Sequence, residues 1–190
     1  MSHENKQKPV LIGIAGPSGS GKTTFEGKLE ETLKTYTIAA FHMDAYFKPD
    51  PERPRKEVGR EKAIYRDDNN PESFYWQQMI EDIRKAAESG VQVILVEGLF
   101  VLYYEELRSM LDLGIYMQCP VEERMTRRVR RNMGRGQQFE DIVDFYLHSA
   151  RHSEGLWIEP TIDWADLIVS GKYNDKALEV IWAYCKEKLC

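Results

Sequence analysis

The chain has 190 residues, 42% of them hydrophobic and 30% charged, with 26 Lys plus Arg against 31 Asp plus Glu and a formal net charge of −5. That fits one folded domain over residues 1–190 and excludes a disordered chain. The acidic balance excludes a protein that coats nucleic acid, and no apolar run approaches the ~20 residues of a membrane span. Neither nucleic acid nor membrane is therefore expected as a partner. The polar start, MSHENKQKPV, lacks a hydrophobic signal core. Cys119, Cys185 and Cys190 lack metal-ligand spacing and read as reduced thiols of a cytoplasmic protein.

In chain order, Val10 to Ala15 is a short run of apolar residues without polar alternation, the pattern of a parallel strand covered on both faces. A helix is expected over Lys22 to Lys34, then a strand over Thr37 to His42. Lys48 to Asn70 carries Pro49, Pro51 and Pro54 and mixed charge, including Arg53, Arg55, Lys56, Arg60 and Lys62, and reads as a long mobile loop. Pro71 to Ser89 follows as a helix stopped by Gly90. Val91 to Val96 is the third strand, Tyr104 to Leu111 a short helix, and Leu113 to Met117 the fourth strand. Pro120 to Met133 and Gln137 to Ser153 are helical, Asp166 to Val169 is the fifth strand, and Asn174 to Lys188 the last helix. Alternating strands and helices predict an α/β fold with a five-stranded parallel sheet flanked by helices.

The segment after the first strand, Gly16-Pro17-Ser18-Gly19-Ser20-Gly21-Lys22-Thr23, fits G-x-x-x-x-G-K-[ST] between a strand and a helix. Such a loop turns its backbone N–H groups toward phosphate oxygens, backed by the partial positive charge of the helix N-terminus. Lys22 then reaches the β- and γ-phosphates, Thr23 is placed to ligate Mg²⁺, and ATP is expected over Gly16 to Thr24. The N-K-x-D signature of a GTPase is missing, since Asn5-Lys6 precedes the loop and lacks the Asp.

Ligands of open α/β sheets gather at the carboxyl ends of strands. Asp44 follows the second strand and Glu97 the third. Asp44 suits a base or orienting group for an acceptor hydroxyl, and Glu97 a partner for Mg²⁺. The structural alternatives are a helix or turn cap for Asp44 and a structural ion pair for Glu97. Arg124, Arg128, Arg131 and Arg135 are spaced to share one helical face, while Arg127 and Arg130 point elsewhere. Beside a triphosphate loop that row reads as a lid carrying catalytic arginines rather than a solvated face.

These residues resemble the uridine kinase family, within the wider uridine kinase and phosphoribulokinase group. The resemblance runs through GPSGSGKTT, DAYF, VILVEGLFVLY, RRVRRNMGRG and IEPTIDWADLIV. It implies a P-loop kinase fold with a core over residues 8–118 and 160–190, a small arginine-rich lid and following helix over 119–155, and an acceptor-side loop over 48–70. It also implies Asp44 as the base, Thr23 and Glu97 at Mg²⁺, and Arg128, Arg131 and Arg135 on phosphates. Homo-oligomers are common in the family.

The acceptor side departs from the pattern. The family's base-reading hairpin has no counterpart where Ala87-Glu88-Ser89-Gly90 leads straight to Val91. The ribose-contacting acid aligns with Asn69, beside Asp68; Gln137 replaces an arginine and Phe145 a glutamine. Tyr46, Phe47 and Tyr65 are candidates for a rebuilt acceptor pocket, with Phe74, Tyr75 and Trp76 divided between that role and the core. The expectation is an ATP-dependent kinase of a nucleoside, uridine or cytidine at its 5′-OH. The alternatives are nicotinamide riboside, a phosphosugar or a vitamin precursor as acceptor, or a catalytically silent nucleotide-binding regulator.

Overall fold

A computed structural model describes residues 8–58, 63–172 and 175–189. The expectations for the N-terminal seven residues, Arg60, Lys62, Asn174 and Cys190 lie outside the described residues. The chain runs β1 (Val10–Ala15), α1 (Lys22–Thr32), β2 (Ile38–His42), β3 (Arg55–Val58), β4 (Ala63–Arg66) and α2 (Trp76–Glu88). It continues through β5 (Val93–Glu97), α3 (Glu105–Arg108), β6 (Leu113–Gln118), α4 (Val121–Met133), α5 (Phe139–Phe145), α6 (Arg151–Ser153), β7 (Leu167–Ser170) and α7 (Asp175–Leu189).

The main sheet has five parallel strands in the order β2-β5-β1-β6-β7. All six residues of β1, the middle strand, are buried, whereas edge strands β2 and β7 are mostly not. Side chains alternate across the pleat. Val10, Ile12 and Ile14 pack with Phe25 and Leu29 of α1 and Leu178 and Ile181 of α7. Leu11 and Ala15 join the opposite cluster with Met79, Ile80 and Ile83 of α2. Helices thus cover both faces, as the continuous apolar runs predicted. Cys119 and Cys185 are buried free thiols, and among the described residues no helix is long and apolar enough to cross a membrane.

Three expected elements differ. The helix expected over Pro71 to Ser89 begins only at Trp76, after a 3₁₀ turn (Pro71–Ser73) and a bridge of Phe74 to Phe47. The segment expected as a loop over residues 48–70 contains a short helical turn (Asp50–Glu52) and the antiparallel pair β3–β4. Three early prolines hid it from a reading that looks for uninterrupted strand pattern. The expected helix over Gln137 to Ser153 is α5 followed by a π turn (Tyr146–Ala150) and α6, then a second π turn (Glu154–Ile158) and a 3₁₀ stretch (Glu159–Trp164). This continuous helical path buries Tyr146, Ser149, Ala150, Ser153 and Glu154.

Phe25 is fully buried between β1 and α1, three residues past Lys22. Phe25→Ala should cost about 3–5 kcal/mol by the cavity it leaves. The check is the urea-unfolding midpoint, and a midpoint equal to wild type would mean that α1 is not anchored through this side chain.

Candidate active site

The carboxyl ends of β1, β2 and β5 open into a cleft of about 990 Å³. Ser18, Gly19, Gly21, Lys22, Thr23 and Thr24 line one wall, Asp44 and Glu97 the floor, and Arg127, Arg128, Arg131 and Arg135 the opposite wall. Phe47, Tyr65, Asp68 and Asn69 line it on the hairpin side. The other expected loop residues, Gly16, Pro17 and Ser20, shape the loop from behind. The Pro17 carbonyl accepts a 3.3 Å hydrogen bond from Lys22 Nζ and one of 3.2 Å from Ser20 N.

Two close approaches build this geometry. Gly19 has φ +83°, and a Cβ there would lie 2.8 Å from the Arg124 carbonyl oxygen, so the loop can press against α4 only as glycine. At Gly98 a Cβ would collide with Met43 Cβ. That contact seats the turn Met43–Tyr46 against the end of β5, which carries Asp44 toward the cleft. No side chain caps the N-terminus of α1, leaving its first-turn N–H groups for a ligand.

The charges interlock. Lys22 Nζ stands 3.6 Å from Glu97 Oε1, and the Thr23 hydroxyl donates to Glu97 Oε2 at 3.2 Å. Burial pushes the Lys22 ammonium down from its usual range, opposed by the charges of Glu97 and Asp44. Asp44 is pushed up by burial and by Glu97, against the pull of Lys22, Arg131 and His42. Glu26, one helical turn beyond Lys22, is pushed up to about 7, chiefly by burial.

The arginine row is rearranged relative to its expected face. Arg124 does not line the cleft: its Nη1 pairs with Glu154 at 2.5 Å and its Nη2 with Glu159 at 3.0 Å. Arg127, expected to point elsewhere, lines the cleft and donates to the Gly19 carbonyl at 3.1 Å. The reason is that α4 lies against the loop with its N-terminal turn, so the side facing Glu154 takes Arg124 and the side facing Gly19 takes Arg127. Arg128 pairs with Glu154 at 3.4 Å, and its Nη1 is buried without a hydrogen-bond partner among the described residues. Arg131 donates to Ser18 Oγ at 3.3 Å; burial and neighbouring Arg135 push its guanidinium down.

On the hairpin side, Tyr46 does not reach the cleft. Its hydroxyl donates to Asp82 of α2 at 3.2 Å, because the turn that aims Asp44 inward turns Tyr46 outward. Phe47 stacks on Phe74 at 4.2 Å; Phe74 is core, and Trp76 stacks on Tyr104 at 4.8 Å. Tyr65 faces Phe145 with ring centroids 6.2 Å apart. Asp68 accepts two hydrogen bonds from Arg66, at 2.6 and 2.8 Å, and one from Arg53 at 2.9 Å. The Asn69 backbone N–H donates to Asp67 Oδ1 at 3.3 Å. Sequence reasoning does not single out Arg66, Asp141, Glu154 or His42. Arg66 and Asp141 line the cleft, Glu154 pairs with the arginines beside it, and His42 contacts Glu97 on its floor. Only the β3–β4 pattern could have pointed to one of them, Arg66.

The model of the Phosphoribulokinase / Uridine kinase family matches residues 11–92 and 77–176. A uridine kinase from Borreliella burgdorferi (strain ZS7) is 33% identical over 93% of this chain and 94% of its own length. One from Clostridium novyi (strain NT) is 28% identical over 96% and 97%. A solved structure from Silicibacter sp. TM1040 superposes with TM-score 0.61 at 17% identity, covering 88% of this chain and 92% of that one. Shikimate kinase from Bacteroides thetaiotaomicron gives 0.53 at 14%, covering 94% and 97%. Those two likenesses carry the fold and the family model carries the lineage: the chain belongs to the phosphoribulokinase/uridine kinase family, as a P-loop phosphotransferase acting on an alcohol group.

Proposed function

We propose that this chain transfers the γ-phosphate of ATP to a hydroxyl of a nucleoside, with the 5′-OH of uridine or cytidine as the acceptor. The observation that carries the reading is the meeting, in one cleft, of the phosphate loop, Asp44 and the arginines of α4. Its relatives named uridine kinase, matched along nearly their whole length, supply the acceptor class.

ATP lies along Gly16 to Thr24, with Lys22 on the β- and γ-phosphates. The Thr23 hydroxyl and the Glu97 carboxylate are hard oxygen donors in contact with each other, a donor set that fits Mg²⁺. Bound there, Mg²⁺ would offset phosphate charge. Asp44 takes the proton of the acceptor hydroxyl as its oxygen attacks. The buried, unpartnered Nη1 of Arg128 is a donor that a phosphoryl oxygen would satisfy, and Arg131 and Arg135 add positive charge on the same wall. The acceptor enters beside Tyr65, Phe47, Asp68 and Asn69.

A second reading keeps the chemistry and changes the acceptor, to nicotinamide riboside, a phosphosugar or a vitamin precursor. One observation favours it: α2 ends at Glu88 and β5 starts at Val93, so the pyrimidine-reading hairpin expected of uridine kinases has no place there.

Asp44→Asn should lower kcat by about 10²–10⁴ while ATP affinity stays near wild type. Turnover equal to wild type would remove Asp44 as the base. Because Asp44 must be ionised to accept a proton and its folded pKa is raised, activity should fall as pH drops through a value above the ~3.9 of a free Asp. An acid limb of kcat/KM at or below that value would contradict the assignment. Lys22→Ala should weaken both ATP binding and turnover, and unchanged ATP affinity counts against the loop assignment. ADP release measured with uridine, cytidine, nicotinamide riboside, ribose and pantothenate separates the two readings. The first stands if a pyrimidine nucleoside gives the highest kcat/KM.

A further inference from the structure

At the cleft floor Glu97 joins two residues, His42 and Glu26, that the phosphoryl transfer proposed above does not use. In the register of β2 on β5, His42 is the partner of Glu97, and Glu26 of α1 reaches the same point from the helix. Each of the three residues offers one ligand atom, and these atoms lie within 4.8 Å of one another. His42 Nδ1 is 3.2 Å from Glu26 Oε2 and 3.6 Å from Glu97 Oε2.

We infer that, in the nucleotide-free chain, Glu26, His42 and Glu97 form a binding site for a divalent transition-metal ion of the Zn²⁺ class, adjacent to the magnesium position at Thr23 and sharing Glu97 Oε2 with it. Tetrahedral ligands around zinc at 2.0–2.2 Å stand about 3.3–3.6 Å apart, and the two spacings from His42 nearly match that without movement. One imidazole with two carboxylates suits an ion softer than Mg²⁺, which prefers oxygen donors alone. A second observation points to a missing ligand. The Glu26 side chain is only 2% exposed, and its Oε1 is buried with no hydrogen-bond partner among the described residues. A buried carboxylate oxygen left unpaired is costly, and a cation seated against the Glu26 carboxylate would compensate it. His42 is 48% exposed, which gives the ion a way in and a water the fourth position. Lys22 meets the other oxygen of Glu97, Oε1, so its charge does not occupy the site.

The test is calorimetric titration of the nucleotide-free full chain with Zn²⁺, repeated on His42→Ala and Glu26→Gln, with Co²⁺ as a visible-absorption probe. The site predicts one Zn²⁺ bound per chain, affinity reduced roughly tenfold or more in each variant, and a four-coordinate Co²⁺ spectrum in wild type that is lost in both. Absence of wild-type binding overturns the inference and leaves the triad as an ion pair. Binding unchanged in His42→Ala also overturns it, since the ion is then held elsewhere. His42 is half exposed at a strand end, so His42→Ala decides alone if Glu26→Gln fails to fold. Because nucleotide is absent, failure here leaves the phosphoryl-transfer reading untouched.

Discussion

Burying Lys22 sets the terms for everything around it. An ammonium taken out of water is costly unless anions lie close by, and its pKa is already pushed down by that burial. Glu97 at 3.6 Å supplies the nearest compensation, and Asp44 and Glu154 contribute at longer range. The parallel sheet makes this affordable in structural terms: with β1 at its centre and β5 beside it, the loop after β1 and the acid ending β5 fall together without any long connection. The carboxylates gathered for Lys22 repel one another in turn, and Asp44 is pushed up first by burial and then by the nearby charge of Glu97. The raised carboxylate of Asp44 is thus in part a by-product of compensating the buried lysine.

The same logic extends to α4. Arg124 and Arg128 are both nearly buried, and both turn to Glu154, itself buried in the helical path that follows α5. Glu154 cannot fully satisfy two guanidiniums, and the donor left over, Nη1 of Arg128, belongs to a residue that lines the cleft. The network therefore anchors the arginine helix through Arg124 while leaving Nη1 of Arg128 without a hydrogen-bond partner among the described residues, an arrangement suited to an arriving anion. Arg127 ties the other side of α4 to the loop through the Gly19 carbonyl.

Much of this was legible because the signals were local. β1 spans the same six residues that the apolar run predicted, and the loop motif, Asp44 and Glu97 needed only strand ends to be located. What escaped depends on contacts between distant segments. Which arginine of α4 turns inward is decided by Glu154, thirty residues from Arg124, and by the close approach of Gly19. His42 is unremarkable until β2 is registered on β5, and one chain alone does not reveal which strands pair. Tyr46, an aromatic candidate for the acceptor pocket, shares a single 3₁₀ turn with Asp44 that sends the two side chains to opposite sides.

The hairpin side of the cleft follows from where β3–β4 stands. The chain goes directly from α2 to β5, but between β2 and α2 it forms β3–β4, which puts Tyr65 opposite Phe145 and Arg66 beside Asp68 at the cleft. Asp68 is held by both Arg66 and Arg53, so its carboxylate reaches the cleft already oriented and partly neutralised. A hydroxyl donating to that carboxylate competes with two guanidiniums, whereas a planar ring meets Tyr65 and Phe145 without displacing any charge. On the proposed reading, with a nucleoside entering on this side, β3–β4 would discriminate acceptors more by ring shape than by sugar hydroxyls.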